Sequence, residues 1–153
     1  MTKVKWEIKS LTPNLSFKDA SRKALTKRIN KLKSTINDYL KEETPENLHQ
    51  IRIAVRRLRY NMELFISCFV RKKFLIFYNS IANLQDVTGK IRDDDVLLSN
   101  LKAINLPKTS HSKDIIVKRI EKSNIQLIEE LQLTLKEFLH SKELKDFIKM
   151  LKK

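Results

Sequence analysis

Between Leu48 and Phe65, the apolar residues Leu48, Ile51, Val55, Leu58, Met62 and Phe65 recur at steps of three and four. That spacing gathers side chains on one face of an α-helix and scatters them over both faces of a strand, so it predicts a helix with one buried face. His49, Arg52, Arg56 and Arg59 follow the same rhythm one residue later. At about 100° per residue they form a second stripe beside the apolar one, with Arg57 at its edge. Solvated helix faces normally mix Glu with Lys, because opposite charges four residues apart support each other. No acid occurs between Glu46 and Glu63. The uncompensated stripe predicts an anionic partner outside the chain.

The remainder of the chain points to the same architecture. One glycine and three prolines in 153 residues leave little turn chemistry for sheets, and Lys, Leu, Ile and Glu favour helix. The length suits one domain with a real core. We expect an all-α fold, a bundle of about four long antiparallel helices plus a short C-terminal helix, over residues 16–153, preceded by an extended arm at 1–15. The alternation of Val4, Trp6 and Ile8 with Lys3, Lys5, Glu7 and Lys9 suggests that arm.

Local signals divide the bundle. Ser16 and Asp19 have capping-box spacing and open a first helix over 16–42. Thr44, Pro45 and Glu46 supply a cap, a first-position proline and a first-turn acid for a second helix reaching about Phe69. Arg71, Lys72 and Lys73 are expected in the turn before a third helix that buries Phe74, Ile81 and Leu84. Gly89 is expected as a bend, a C-cap or a close backbone approach. Asp93, Asp94 and Asp95 precede Leu97, Leu98, Leu101 and Ile104. They read as caps of a new helix with a salt bridge to Arg92, and alternatively as a divalent-ion site or a solvated acidic loop. Residues 105–112 read as a loop, 113–139 as a long helix with Ile116, Ile120, Leu127, Leu131, Leu135 and Phe138 aligned, and Ser141 as the start of the last helix.

Thirty-two Lys and Arg against eighteen Asp and Glu give a net charge of +14, which predicts attraction to nucleic acid, anionic membrane surface or phosphate polymers without choosing among them. Ten basic residues and two acids between Lys3 and Lys33 make a second basic surface. The lone Cys68 in an apolar run reads as an inert core thiol in a reducing compartment. With no apolar leader and no run near the ~18 residues of a membrane span, the chain is expected to be cytoplasmic.

Guanidinium groups present planar forks matched to phosphate oxygens. The row from Arg52 to Arg59 extends over roughly 10 Å, and His49 lengthens it to about 15 Å. A bound polyanion would favour protonated His49. The plain alternative is that these side chains merely snorkel from the edge of the core stripe. A DNA-recognition helix would require the short helix and tight turn of a helix-turn-helix unit, and an RNA module normally adds stacking aromatics, of which Tyr60 alone lies beside the stripe. Catalytic signatures are weaker: there is no glycine-rich phosphate loop or HExxH, and His49, His111 and His140 lack metal-ligand spacing. No cofactor, metal or catalytic residue is expected.

Two stretches carry a family resemblance. His49-x-x-Arg52-Ile53-Ala54-Val55-Arg56-Arg57-Leu58-Arg59 resembles the signature of the CHAD domains, the conserved histidine α-helical domains, and Gly89-Lys90-Ile91-Arg92-Asp93-Asp94-Asp95-Val96 resembles their second motif. The resemblance is expected to cover residues 11–151. It implies a helical bundle that binds inorganic polyphosphate on a basic surface, without catalysis, often at polyphosphate granules. It assigns phosphate contacts to His49, Arg52, Arg56 and Arg59, with Arg57 at the flank and Arg92 nearby. Lys23, Lys27 and Lys31 on the first helix match no position of the motif and are expected, from the basic surface they belong to, to line the same groove. Nucleic acid would then bind only non-specifically. Members of the family usually carry two such halves around a basic cavity, whereas this chain carries one. Two copies associating as a symmetric homodimer would rebuild the two-sided groove.

Overall fold

The computed structural model describes Ile8, residues 11–105 and residues 111–153. The chain forms α1 (Phe17–Lys41), α2 (Pro45–Phe65), a 3-10 turn at Ile66–Cys68, α3 (Arg71–Ala103), α4 (His111–His140) and α5 (Lys142–Lys152). Among the described residues the fold is an all-α bundle of four long helices and a short fifth. Of the expected arm, Ile8 and residues 11–15 are described. Ile8 packs against the core, and the Leu11 and Leu15 amides donate to the Ile8 and Thr12 carbonyls at 2.9 and 3.1 Å, so this end of the arm turns instead of running extended.

The caps act where the sequence places them. Ser16 Oγ accepts the Asp19 amide at 3.1 Å, Thr44 Oγ1 accepts the Asn47 amide at 3.1 Å, and Ser141 Oγ accepts the Leu144 amide at 3.3 Å. Each satisfies one of the amides that a helix start leaves without an intrahelical partner. Ile29, Leu32 and Ile36 of α1 meet Ile51, Val55, Leu58 and Met62 of α2 in one core with Phe74, Phe77 and Ile81 of α3, all essentially inaccessible. Phe77 stacks on Phe147 with ring centroids 4.3 Å apart, which fastens α5 to the bundle.

Three expectations are corrected. First, α2 ends at Phe65, and Arg71, Lys72 and Lys73 open α3 instead of forming the turn. Three cations at a helix start oppose the macrodipole, so this start carries no conventional signal. Second, α3 runs unbroken for 33 residues, or about 50 Å. Gly89 is neither a bend nor a C-cap, and its φ is not positive. Asp93, Asp94 and Asp95 lie inside the helix instead of capping one. The stripe Ile81, Leu84, Thr88 and Ile91 stays buried across the glycine, and this packing outweighs the propensity cost. Third, the first half of α4 buries nothing: only Leu131, Leu135 and Phe138 are core residues, and Ile116 is exposed.

Beyond Ile91, α3 has no buried residue either. The end of α3 and the start of α4 form a hairpin tied by polar contacts. Asn124 Nδ2 donates to Asp95 Oδ1 at 2.9 Å, Lys102 pairs with Glu121 at 3.2 Å, and Lys113 donates to the Ile104 carbonyl at 2.6 Å. Among the described residues, no helix is long and apolar enough to cross a membrane.

Candidate functional site

Where α2 lies along α3, their outward edges enclose an open groove of about 450 Å³. From α2 come His49, Arg52, Ile53 and Arg56, and from α3 come Gln85, Asp86, Thr88, Gly89, Lys90 and Asp93. The apolar stripe of α2 faces the core, so the cationic residues one step around the helix are held at the seam with α3. Among the described residues, neither Arg52 nor Arg56 forms an ion pair or a side-chain hydrogen bond. The acids missing along α2 are partly supplied across the seam, since Asp86 and Asp93 share the wall with Lys90. The groove is therefore cationic but not uniformly so.

Gly89 lies in this wall at the middle of a regular helix. A Cβ built there meets nothing within 4 Å. Neither helix packing nor backbone conformation demands glycine, which costs about 1 kcal/mol relative to Ala in a helix interior. Its effect is to leave the groove open opposite Arg52 and Arg56.

The rest of the stripe faces elsewhere. Arg59 Nε donates to Glu63 Oε1 at 3.0 Å and to the Tyr78 hydroxyl at 3.0 Å, and that hydroxyl donates to the same carboxylate oxygen at 2.7 Å. The hydrogen bond with Tyr78, then that with Glu63, raises the Arg59 pKa. Arg59 is thus committed within the protein. Arg57 turns to the opposite side of α2, toward α1, where burial and then the neighbouring Arg57 charge lower the Arg28 pKa.

Other nominated residues lie apart. Arg92 is exposed on α3 but does not line the groove. Lys23 and Lys27 line a separate shallow hollow on α1 with Arg22, Thr26 and Asn30, and Lys31 is exposed outside both. Lys90 was not singled out in the sequence, although it adjoins Gly89 in the second motif. It supplies the cation of α3 to the groove. A seam residue of α3 is recognisable only once α3 is known to continue through Gly89.

The fold and the groove define a helical-bundle domain with a cationic seam between α2 and α3. The model of the CHAD domain matches residues 3–102, about two thirds of the chain, and the protein belongs to this family. The matched stretch spans α1, α2 and nearly all of α3, and ends well short of the 11–151 that the motifs suggested. No curated relative and no solved structure matches the chain.

Proposed function

We propose that the groove between α2 and α3 binds inorganic polyphosphate without transforming it. The observation that carries this reading is that His49, Arg52 and Arg56 line one groove with Lys90 and Gly89, while among the described residues neither arginine has an anionic partner. Arg52 and Arg56 are one turn apart, about 6 Å along the axis, so their planar forks can engage neighbouring phosphates of one chain. Membership in the CHAD family supports the same ligand.

The non-catalytic reading draws on the placement of the acids. Asp93 lines the groove, while Asp95, about 200° around the helix, is hydrogen-bonded to Asn124. The two carboxylates do not converge on one ion. Release of phosphate on adding a divalent metal, lost in Asp93→Asn, would overturn the non-catalytic reading. On this proposal the protein works in the cytoplasm at polyphosphate granules, and a second copy completes the groove as a homodimer. Light scattering after size exclusion, with and without polyphosphate, tests the dimer, and a monomer in both conditions removes it.

The central test is fluorescence anisotropy of labelled long-chain polyphosphate at fixed ionic strength, competed with duplex DNA and RNA. Salt weakens every polyanion complex, so the competitor ratio decides. Polyphosphate should win by well over tenfold per phosphate. Equal competition by nucleic acid makes the groove a generic cationic surface.

A further inference from the structure

A second concave site lies where α5 meets the start of α1, the turn before α3 and the first turns of α3. It encloses about 730 Å³, within the range of about 300–1,000 Å³ typical of small-molecule sites. Its floor is apolar: Cys68, Phe69, Val70, Ile76, Phe147 and Met150 line it. Phe147 is buried and packs on Phe74 with centroids 5.5 Å apart, and Phe69 stacks on Phe74 at 5.4 Å. The floor therefore rests on the core. Two of its apolar members are nonetheless open to solvent, Val70 at 64% and Ile76 at 52% exposure.

The rim has the opposite character. Lys18, Arg22, Lys73, Lys142, Lys149 and Lys153 surround the opening, against only Glu143 and Asp146. Arg22 pairs loosely with Asp19 through one terminal nitrogen at 3.5 Å. Its Nε is buried and has no hydrogen-bond partner among the described residues, although a buried donor without an acceptor is costly. This combination of apolar floor and cationic rim asks for a ligand with an alkyl body and an anionic head.

We propose that this cleft binds a single-chain fatty-acid anion, its alkyl chain over Phe69, Ile76 and Met150 and its carboxylate at Arg22 and Lys73. The site is separate from the α2–α3 groove and does not depend on the polyphosphate reading. Polyphosphate, which has no apolar part, cannot use the floor, and an uncharged or cationic amphiphile leaves the rim unneutralised.

Cys68 provides the reporter, because its half-buried thiol lines the cleft. The full chain is titrated with dodecanoate below micelle formation, following heat release and the rate at which a thiol reagent modifies Cys68. Saturable one-to-one binding that slows Cys68 modification is expected, with acetate and dodecylamine each binding at least about tenfold more weakly. The exposed-site variants Ile76→Asn and Lys73→Gln should each lose about tenfold in dodecanoate affinity while binding polyphosphate as the native chain does. Equal binding of acetate reduces the cleft to a cationic surface, and equal binding of dodecylamine reduces it to an apolar hollow. Binding to anionic lipid vesicles without binding to dodecanoate assigns the face to a membrane. Undiminished binding by both variants places the ligand elsewhere. Each of these results overturns the proposal.

Discussion

Tyr78 of α3 donates its phenolic hydrogen to the carboxylate of Glu63 on α2 at 2.7 Å. This cross-helix bond draws Arg59 into the protein, because the same hydroxyl and the same carboxylate both accept from Arg59 Nε. The cationic stripe of α2 is thereby divided between Arg59, bonded within the protein, and Arg52 and Arg56, which have no ion pair among the described residues.

That division ranks the arginines. Arg52→Ala and Arg56→Ala should each weaken polyphosphate binding about tenfold, as expected for loss of a charge-assisted contact. Arg57→Ala and Arg59→Ala should cost less than about threefold, a reduction in long-range attraction only. Stability should change by less than about 0.5 kcal/mol in Arg52→Ala and Arg56→Ala, which remove no ion pair among the described residues. Anisotropy titrations beside urea unfolding measure both quantities, and equal losses for all four would show that the stripe acts as one undivided surface.

Glu63 gives a pH signature. The Tyr78 hydroxyl, and after it Arg59, hold its carboxyl below the usual range, while partial desolvation opposes them. A carboxyl depressed in the folded state contributes stability above its unfolded pKa and loses it as pH falls through the folded value. Glu63→Gln should therefore be less stable than the native chain at neutral pH, and the gap should close below about pH 4. Urea midpoints across that interval read the effect. A gap independent of pH would mean that the charge of Glu63 contributes nothing.

Gly89→Ala should separate stability from binding. The helix gains about 1 kcal/mol from the better helix former, since the added methyl meets nothing within 4 Å. Polyphosphate affinity should fall, and Gly89→Leu should lower it further by filling the groove. Thermal unfolding and anisotropy on the same samples make the comparison. A variant that is stabilised and binds unchanged would show that the ligand does not approach this wall.

Phe147→Ala should cost about 3–5 kcal/mol, a large part of the stability of a domain this size. Phe147 is 2% exposed and stacks on Phe77, so its removal leaves a cavity under α5. Hydrogen exchange should show α5 losing protection before α2, and uniform loss would mean that α5 unfolds only with the whole bundle.

The helices and their caps could be read from the sequence because they depend on neighbours three or four residues away. The period of Leu48 to Phe65, the scarcity of glycine and proline, and the caps at Ser16, Thr44 and Ser141 were sufficient for the class and for most boundaries. His49, Arg52 and Arg56 of the motif share one edge of α2, as their spacing requires. Local rules misled where packing overrode them. Gly89 and the three aspartates resemble a helix junction, yet Ile81, Leu84, Thr88 and Ile91 bury a continuous stripe through them. Only the tertiary structure decided which partner each edge of α2 faces. One side of a helix turned toward α1 and the other toward α3 have the same local spacing, and which side stays open depends on contacts such as Tyr78 with Glu63, fifteen residues apart, that no periodicity records.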